Sequence, residues 1–154
     1  MRRTWATGAA IVMAVALGGA PAAAQSDTVI VTSTQECDLD PMPAACTYTA
    51  SDPRVAGTGG HEFVGGIPGP GSFVWSDAWI EGPEGAWTGH HYIFFDDAGS
   101  AQVLIMLAGQ GAYEGLSYAA FGSDPEGDAN HDLVGVIYEG PLPPVGPVPI
   151  PAGE

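Results

Sequence analysis

Lysine is absent from this sequence, and two of its three basic residues, Arg2 and Arg3, sit at the very start. Beyond them Arg54 stands alone against all 18 acidic residues. Nucleic acid and anionic lipid are bound through Lys and Arg that displace counterions or pair with phosphate, so this composition argues against both as partners. Long apolar runs are missing too: Ile11 to Leu17 is too short for a membrane span, and no later run is long and uninterrupted enough to be one. No stretch carries apolar residues at helical spacing over three or four turns, which argues against a helical fold. A G-x-S-x-G elbow, a Walker loop and a dinucleotide fingerprint are all lacking, so several common enzyme classes drop out and no catalytic residue can be named. Cysteine is scarce, with only Cys37 and Cys46 present.

What is there begins with an export signal. Arg2 and Arg3, the apolar run and Ala22-Ala23-Ala24 have the charge, core and cleavage pattern of a secretory leader, which predicts removal of residues 1–24 and a secreted or periplasmic protein. Arg2-Arg3-Thr4-Trp5 hints at a twin-arginine signal but lacks the usual flanking residues. About 130 residues remain, enough for one domain with a hydrophobic core. In an oxidising compartment Cys37 and Cys46 are expected to form a disulfide that pins the proline-containing segment between them, since neither C-x-x-C spacing nor basic neighbours suggest reactive thiols. The acidic surface suits solubility, high ionic strength and divalent cations.

Short alternating or apolar runs separated by Gly, Pro, Asp and Ser clusters predict an all-β chain. Strands are expected at 27–34, 46–58 with an interruption at Asp52-Pro53, 73–81, 86–95, 101–108, 112–121 and 132–139. Sequential hairpins of this kind favour an antiparallel up-and-down β-barrel of about eight strands, spanning residues 25–140, because closure removes exposed edges. The glycines of Leu107-Ala-Gly-Gln-Gly-Ala-Tyr-Glu-Gly-Leu-Ser-Tyr118 read as kinks in a strongly bent sheet. Residues 141–154 form a proline-rich tail.

Gly109-Gln-Gly-Ala-Tyr-Glu-Gly-Leu116 resembles the G-x-G-x-aromatic-x-G segment of allene oxide cyclase and dirigent-type β-barrels. Arg54-Val-Ala-Gly-Thr58 and Gly135-Val-Ile-Tyr-Glu-Gly140 resemble segments of bacterial proteins grouped loosely with them. The resemblance implies an eight-stranded antiparallel barrel whose lumen receives hydrophobic small molecules. The aspartate and arginine constellation of dirigent proteins finds no counterpart, Arg54 being the only arginine after the leader.

The candidate site residues follow from this fold. Trp75 and Trp79 share one strand face, and Trp87 and His91 share another with Ile93, so these side chains, with Tyr113 and Glu114, are expected to wall a ligand pocket. Either Tyr113 or Glu114 faces inward; Tyr113 is preferred because a buried carboxylate without a partner is costly. His90 and His91 point to opposite faces, and a zinc site would need His61 or His131 to converge with a carboxylate such as Glu62. Asp128, Asn130 and Asp132, with Glu139 at the twelfth position, have the oxygen spacing of a calcium loop, but Leu133 replaces its essential glycine and a strand would carry Glu139 away. Three functions are thereby open: a small hydrophobic or aromatic ligand bound in the lumen or at a mouth without a cofactor, a cyclase or isomerase using Glu114 or a histidine, and a Ca²⁺-stabilised envelope protein.

Overall fold

Inward and outward side chains alternate along nearly every strand, and in the computed structural model, which describes residues 28–40, 42–67, 71–125 and 130–143, that alternation closes a barrel. Its eight strands are β1 (Val29–Asp38), β2 (Ala44–Ala50), β3 (Gly57–Ile67), β4 (Phe73–Glu81), β5 (Gly85–Phe95), β6 (Ala101–Gly111), β7 (Leu116–Asp124) and β8 (Asn130–Glu139). Each pairs antiparallel with its neighbour in sequence, and β8 closes on β1 through Val29↔Ile137 to Glu36↔Asn130. The expected barrel is therefore present, with no helix among the described residues. The expected leader lies outside the described residues, as does all but the first part of the tail.

The up-and-down order sorts the connections between two ends. One end carries the 51–56, 82–84 and 112–115 loops, and it is plugged. Trp87 is fully buried there, stacked on Tyr113 at a ring separation of 5.2 Å and next to Tyr118 at 6.0 Å. Its indole N–H donates to the Arg54 carbonyl at 2.7 Å, which ties the 51–56 loop across the end and seats Val55 in the core. Arg54 in turn donates to both carboxylate oxygens of Asp52, at 2.9 and 2.7 Å. The G-x-G-x-Y-x-G motif belongs to this plug rather than to a bent strand. Gly111 and Gly115 take positive φ (66° and 86°) in the β6–β7 turn, β7 starts only at Leu116, and a side chain at Gly109 would collide with the Tyr113 backbone.

β3 escapes the sequence pattern. Its five glycines interrupt the apolar alternation, and the expected 46–58 strand is instead β2, the 51–56 loop and the first residues of β3. The outer face of β3 is covered by its neighbour: Trp79 lies over its register partner Gly60 and Trp75 over Gly65, so close that a Cβ at Gly60 would come within 2.8 Å of the Trp79 ring. Glycine positions of β3 are thus packed by aromatic residues across the pairing, a device that supports glycines in sheets.

Candidate functional site

Beyond the aromatic plug the lumen continues with Ile105, Leu107, Leu133 and Ile137, then turns polar. Gln35 of β1 faces inward opposite His131 of β8 in the register, and Ser76 of β4 faces inward opposite His91 of β5. His61 of β3, Asp124 of β7 and the Cys37–Cys46 disulfide, which bridges β1 and β2, complete a layer across the barrel. The imidazoles meet in the middle: His61 and His91 at 4.9 Å between ring centroids, His91 and His131 at 5.6 Å, both edge to face. The Asp124 carboxylate lies 3.7 Å from Nδ1 of His131. The Gln35 amide donates to Cys37 Sγ at 2.9 Å, and Cys46 Sγ lies 3.7 Å from Nδ1 of His61.

Polar groups removed from water are normally hydrogen-bonded, since leaving one unmade costs about 1–3 kcal/mol. Here Nε2 of His91 and Oε1 of Gln35 are buried with no hydrogen-bond partner among the described residues. Burial lowers the pKa of His91 well below the ordinary histidine value, helped by the neighbouring His61 and His131. His61 is lowered too, first by burial and then by His131. Both rings are therefore neutral near pH 7 and can act as ligands or acceptors. Deeper in the barrel, burial raises the Tyr48 and Tyr118 phenols, and Tyr118 shares a 3.1 Å hydrogen bond with Ser33.

Above the polar layer, at the end opposite the plug, the barrel opens into a vestibule of about 140 Å³. Its walls are Leu39, Met42, Phe63, Val74, Ile93 and Phe95, and its floor is His61, Ser76, Asp124 and His131. Leu39, Met42 and Phe63 are 44%, 52% and 56% exposed, so this apolar rim stands open to solvent.

The expected site residues are redistributed by this geometry. His91 belongs to the polar layer and Trp87 to the lumen, but Trp87 and Tyr113 are stacked on each other and buried at the closed end, away from the vestibule lining. Glu114 is exposed on the β6–β7 turn while Tyr113 is the buried one. Trp75 and Trp79 do share a face, but it is the outer one, because the inward positions of β4 are Val74, Ser76, Ala78 and Ile80. Asn130 and Asp132 are exposed on the outside of β8, and Asp128 lies outside the described residues. The strand carries Glu139 to the far end, roughly 30 Å from Asn130 at about 3.3 Å per residue, so the four oxygens do not form one loop.

The expected disulfide is formed. His61 and His131 do converge with His91, but the accompanying carboxylate is Asp124, since Glu62 is exposed. His90 faces outward and pairs with Asp77 at 3.2 Å. Asp124, Gln35 and the vestibule walls carried no motif; the only signal in the sequence was polar residues at inward positions of otherwise apolar alternation. Comparison with protein-family models, curated proteins and solved structures finds no match for this chain.

Proposed function

We propose that the protein is an exported binding barrel that takes a small, uncharged ring compound with a hydrogen-bonding substituent, such as a simple phenol, into the vestibule. The observation that carries this reading is the juxtaposition of an open apolar mouth with a polar floor of His61, Ser76, Asp124 and His131. A cavity of about 150 Å³ holds a benzene-sized molecule, so the vestibule suits one ring rather than a long chain. Phe63 and Phe95 offer aromatic faces and edges and Ile93 an aliphatic wall to pack against, while His61 and Ser76 offer acceptors for a hydroxyl. Asp124 on the floor and the acidic surface around the barrel select against an anionic ligand. The disulfide suits an oxidising compartment.

The test is titration of the oxidised protein with phenol, toluene and benzoate, followed by side-chain NMR, because no tryptophan among the described residues lines the vestibule. Phenol is expected to saturate shifts at Phe63, Phe95 and the His61 ring, toluene to bind more weakly and benzoate weakest. Phe95→Ala should reduce phenol affinity about tenfold without altering the closed end. Absence of saturable binding for all three compounds would remove the proposal. A cyclase or isomerase working in the same space would use the Asp124 and His131 pair rather than Glu114, because that pair alone places an acid beside a base on the vestibule floor. Loss of turnover in Asp124→Asn with ligand affinity retained would favour that second reading.

A further inference from the structure

We propose that His61, His91 and His131 form a centre for a divalent transition-metal ion of the kind that prefers imidazole, zinc or copper(II), with Asp124 positioning His131 and one coordination position left facing the vestibule. The inference does not require the vestibule to take an organic ligand.

Three observations converge. The first is the spacing of the rings. With a metal–nitrogen bond of about 2.0–2.1 Å and a nitrogen about 1.1 Å from its ring centre, two histidines on one ion at roughly 100–125° place their centroids about 5–5.6 Å apart. The His61–His91 and His91–His131 separations, 4.9 and 5.6 Å, sit in that range. Rotation about χ2 turns the ring nitrogens while leaving the centroids almost in place, because the Cβ–Cγ axis runs through the ring. The second is the unpartnered Nε2 of His91, a side chain only 1% exposed and surrounded by the other two imidazoles. A structural histidine would normally have that nitrogen hydrogen-bonded. The third lies outside the rings. Metal-ligating histidines usually present their second nitrogen to a carboxylate, carbonyl or water, and here the Asp124 carboxylate lies beside Nδ1 of His131 at 3.7 Å. Neutral imidazoles are the form that ligates, and three of them with an open position make the donor set of a zinc site that can take a further ligand. His61, His131 and Asp124 line the vestibule, which supplies the path of entry. The acidic surface raises the local concentration of cations without itself being the site.

A competing donor set stands close by. Cys37, Cys46 and His61 have ligand atoms within 4.8 Å of one another, a spacing the three imidazoles reach only after rotation about χ2, but the two sulfurs are bonded to each other and are poor ligands until reduced. The experiment therefore uses the oxidised wild-type protein, metal-free after chelation, titrated with Zn²⁺ at pH 7.5 in excess Ca²⁺ to occupy surface carboxylates. The expected result is one equivalent of Zn²⁺ bound at micromolar affinity or tighter, with ring-nitrogen NMR shifts at three of the four histidines and none at His90. Cu²⁺ should show nitrogen ligands in its electron paramagnetic resonance spectrum. His90→Asn should bind as wild type, His91→Gln about 100-fold more weakly, and Asp124→Asn about 10–100-fold more weakly. Should His91→Gln fail to fold, the wild-type NMR shifts decide. Shifts confined to His90, or no binding above the Ca²⁺ background, would overturn the proposal. Binding that appears only after reduction and vanishes in Cys46→Ser would overturn it as well, assigning the ion to Cys37, Cys46 and His61.

Discussion

Replacing Trp87 with phenylalanine should separate the closed end of the barrel from the open one. The indole is fully buried, and its N–H holds the Arg54 carbonyl at 2.7 Å. Phenylalanine keeps a ring against Tyr113 but cannot donate, so the carbonyl loses its partner at a cost of about 1–3 kcal/mol. The smaller ring also leaves a void of roughly 40 Å³, which at about 24 cal/mol per Å³ adds about 1 kcal/mol. The sum is about 2–4 kcal/mol, or roughly 10 °C in Tm for a domain of this length. Trp79→Phe is the control: Trp79 is half-buried on the outer face over Gly60, so its loss should cost less than about 1 kcal/mol. Both variants should be melted with the disulfide intact and followed by circular dichroism, and phenol affinity should be measured alongside. A Trp87→Phe variant as stable as wild type would show that the plug does not tie the 51–56 loop. A change in vestibule affinity without global unfolding would show that the two ends are not independent.

In the metal-free protein His91 and His61 have depressed pKa values, so unfolding takes up protons as the pH drops; their stabilisation is complete above the unfolded value of about 6.5 and is lost below it. Urea unfolding should therefore report a loss of about 1–2 kcal/mol between pH 6.5 and 5.5, and a flat or opposite trend would contradict the burial of these rings. Reduction of Cys37–Cys46, which closes a loop of only 9 residues in sequence separation, should lower stability by about 2–3 kcal/mol, and superimposable melts with and without reductant would count against it. Gly135→Ala would bring a methyl group within 2.7 Å of the Ala120 side chain and 2.9 Å of the Tyr118 ring. It should cost about 1–3 kcal/mol by overpacking, against about 1 kcal/mol for Gly99→Ala, where φ is +90° but space is open; equal costs would show that strain and not packing governs both sites.

The parts of the fold legible in the sequence were those in which each strand buries its own residues. β5 and β6 carry enough apolar side chains for their positions and the inner face Trp87, Gly89, His91, Ile93, Phe95 to follow from alternation alone. β3 was hidden because its packing is supplied from β4, by Trp75 and Trp79, so those tryptophans looked like pocket walls when they serve as cover for glycines. Tyr113 was legible as buried, but its role at the closed end depends on a turn that folds it onto Trp87. The polar layer was hidden for a different reason. His61, His91 and His131 come from β3, β5 and β8, and only the registers of a closed barrel bring three such distant positions to one level.

That layer gathers three imidazoles, a carboxylate and an amide in the lumen, and its cost gives a direct way to ask whether it exists for stability or for binding. His91 contributes a buried nitrogen without a hydrogen bond, so replacing it by leucine, of similar volume, removes an unmet polar group and leaves a side chain that can pack against Ile105, its register partner on β6. Gln35 contributes a second such atom, but its amide also donates to Cys37 Sγ, so it is the less clean substitution. His91→Leu should therefore raise the stability of the metal-free protein by about 1–2 kcal/mol and flatten its decline below pH 6.5, while abolishing the binding of Zn²⁺. Stabilisation of the metal-free protein together with loss of Zn²⁺ binding in the same variant is the trade-off expected of a group kept for function. Urea unfolding of wild type and His91→Leu at pH 7.5, with and without Zn²⁺, makes the comparison. If the variant is instead less stable than metal-free wild type by more than about 1 kcal/mol, the histidine is structural and its nitrogen has a partner in solution.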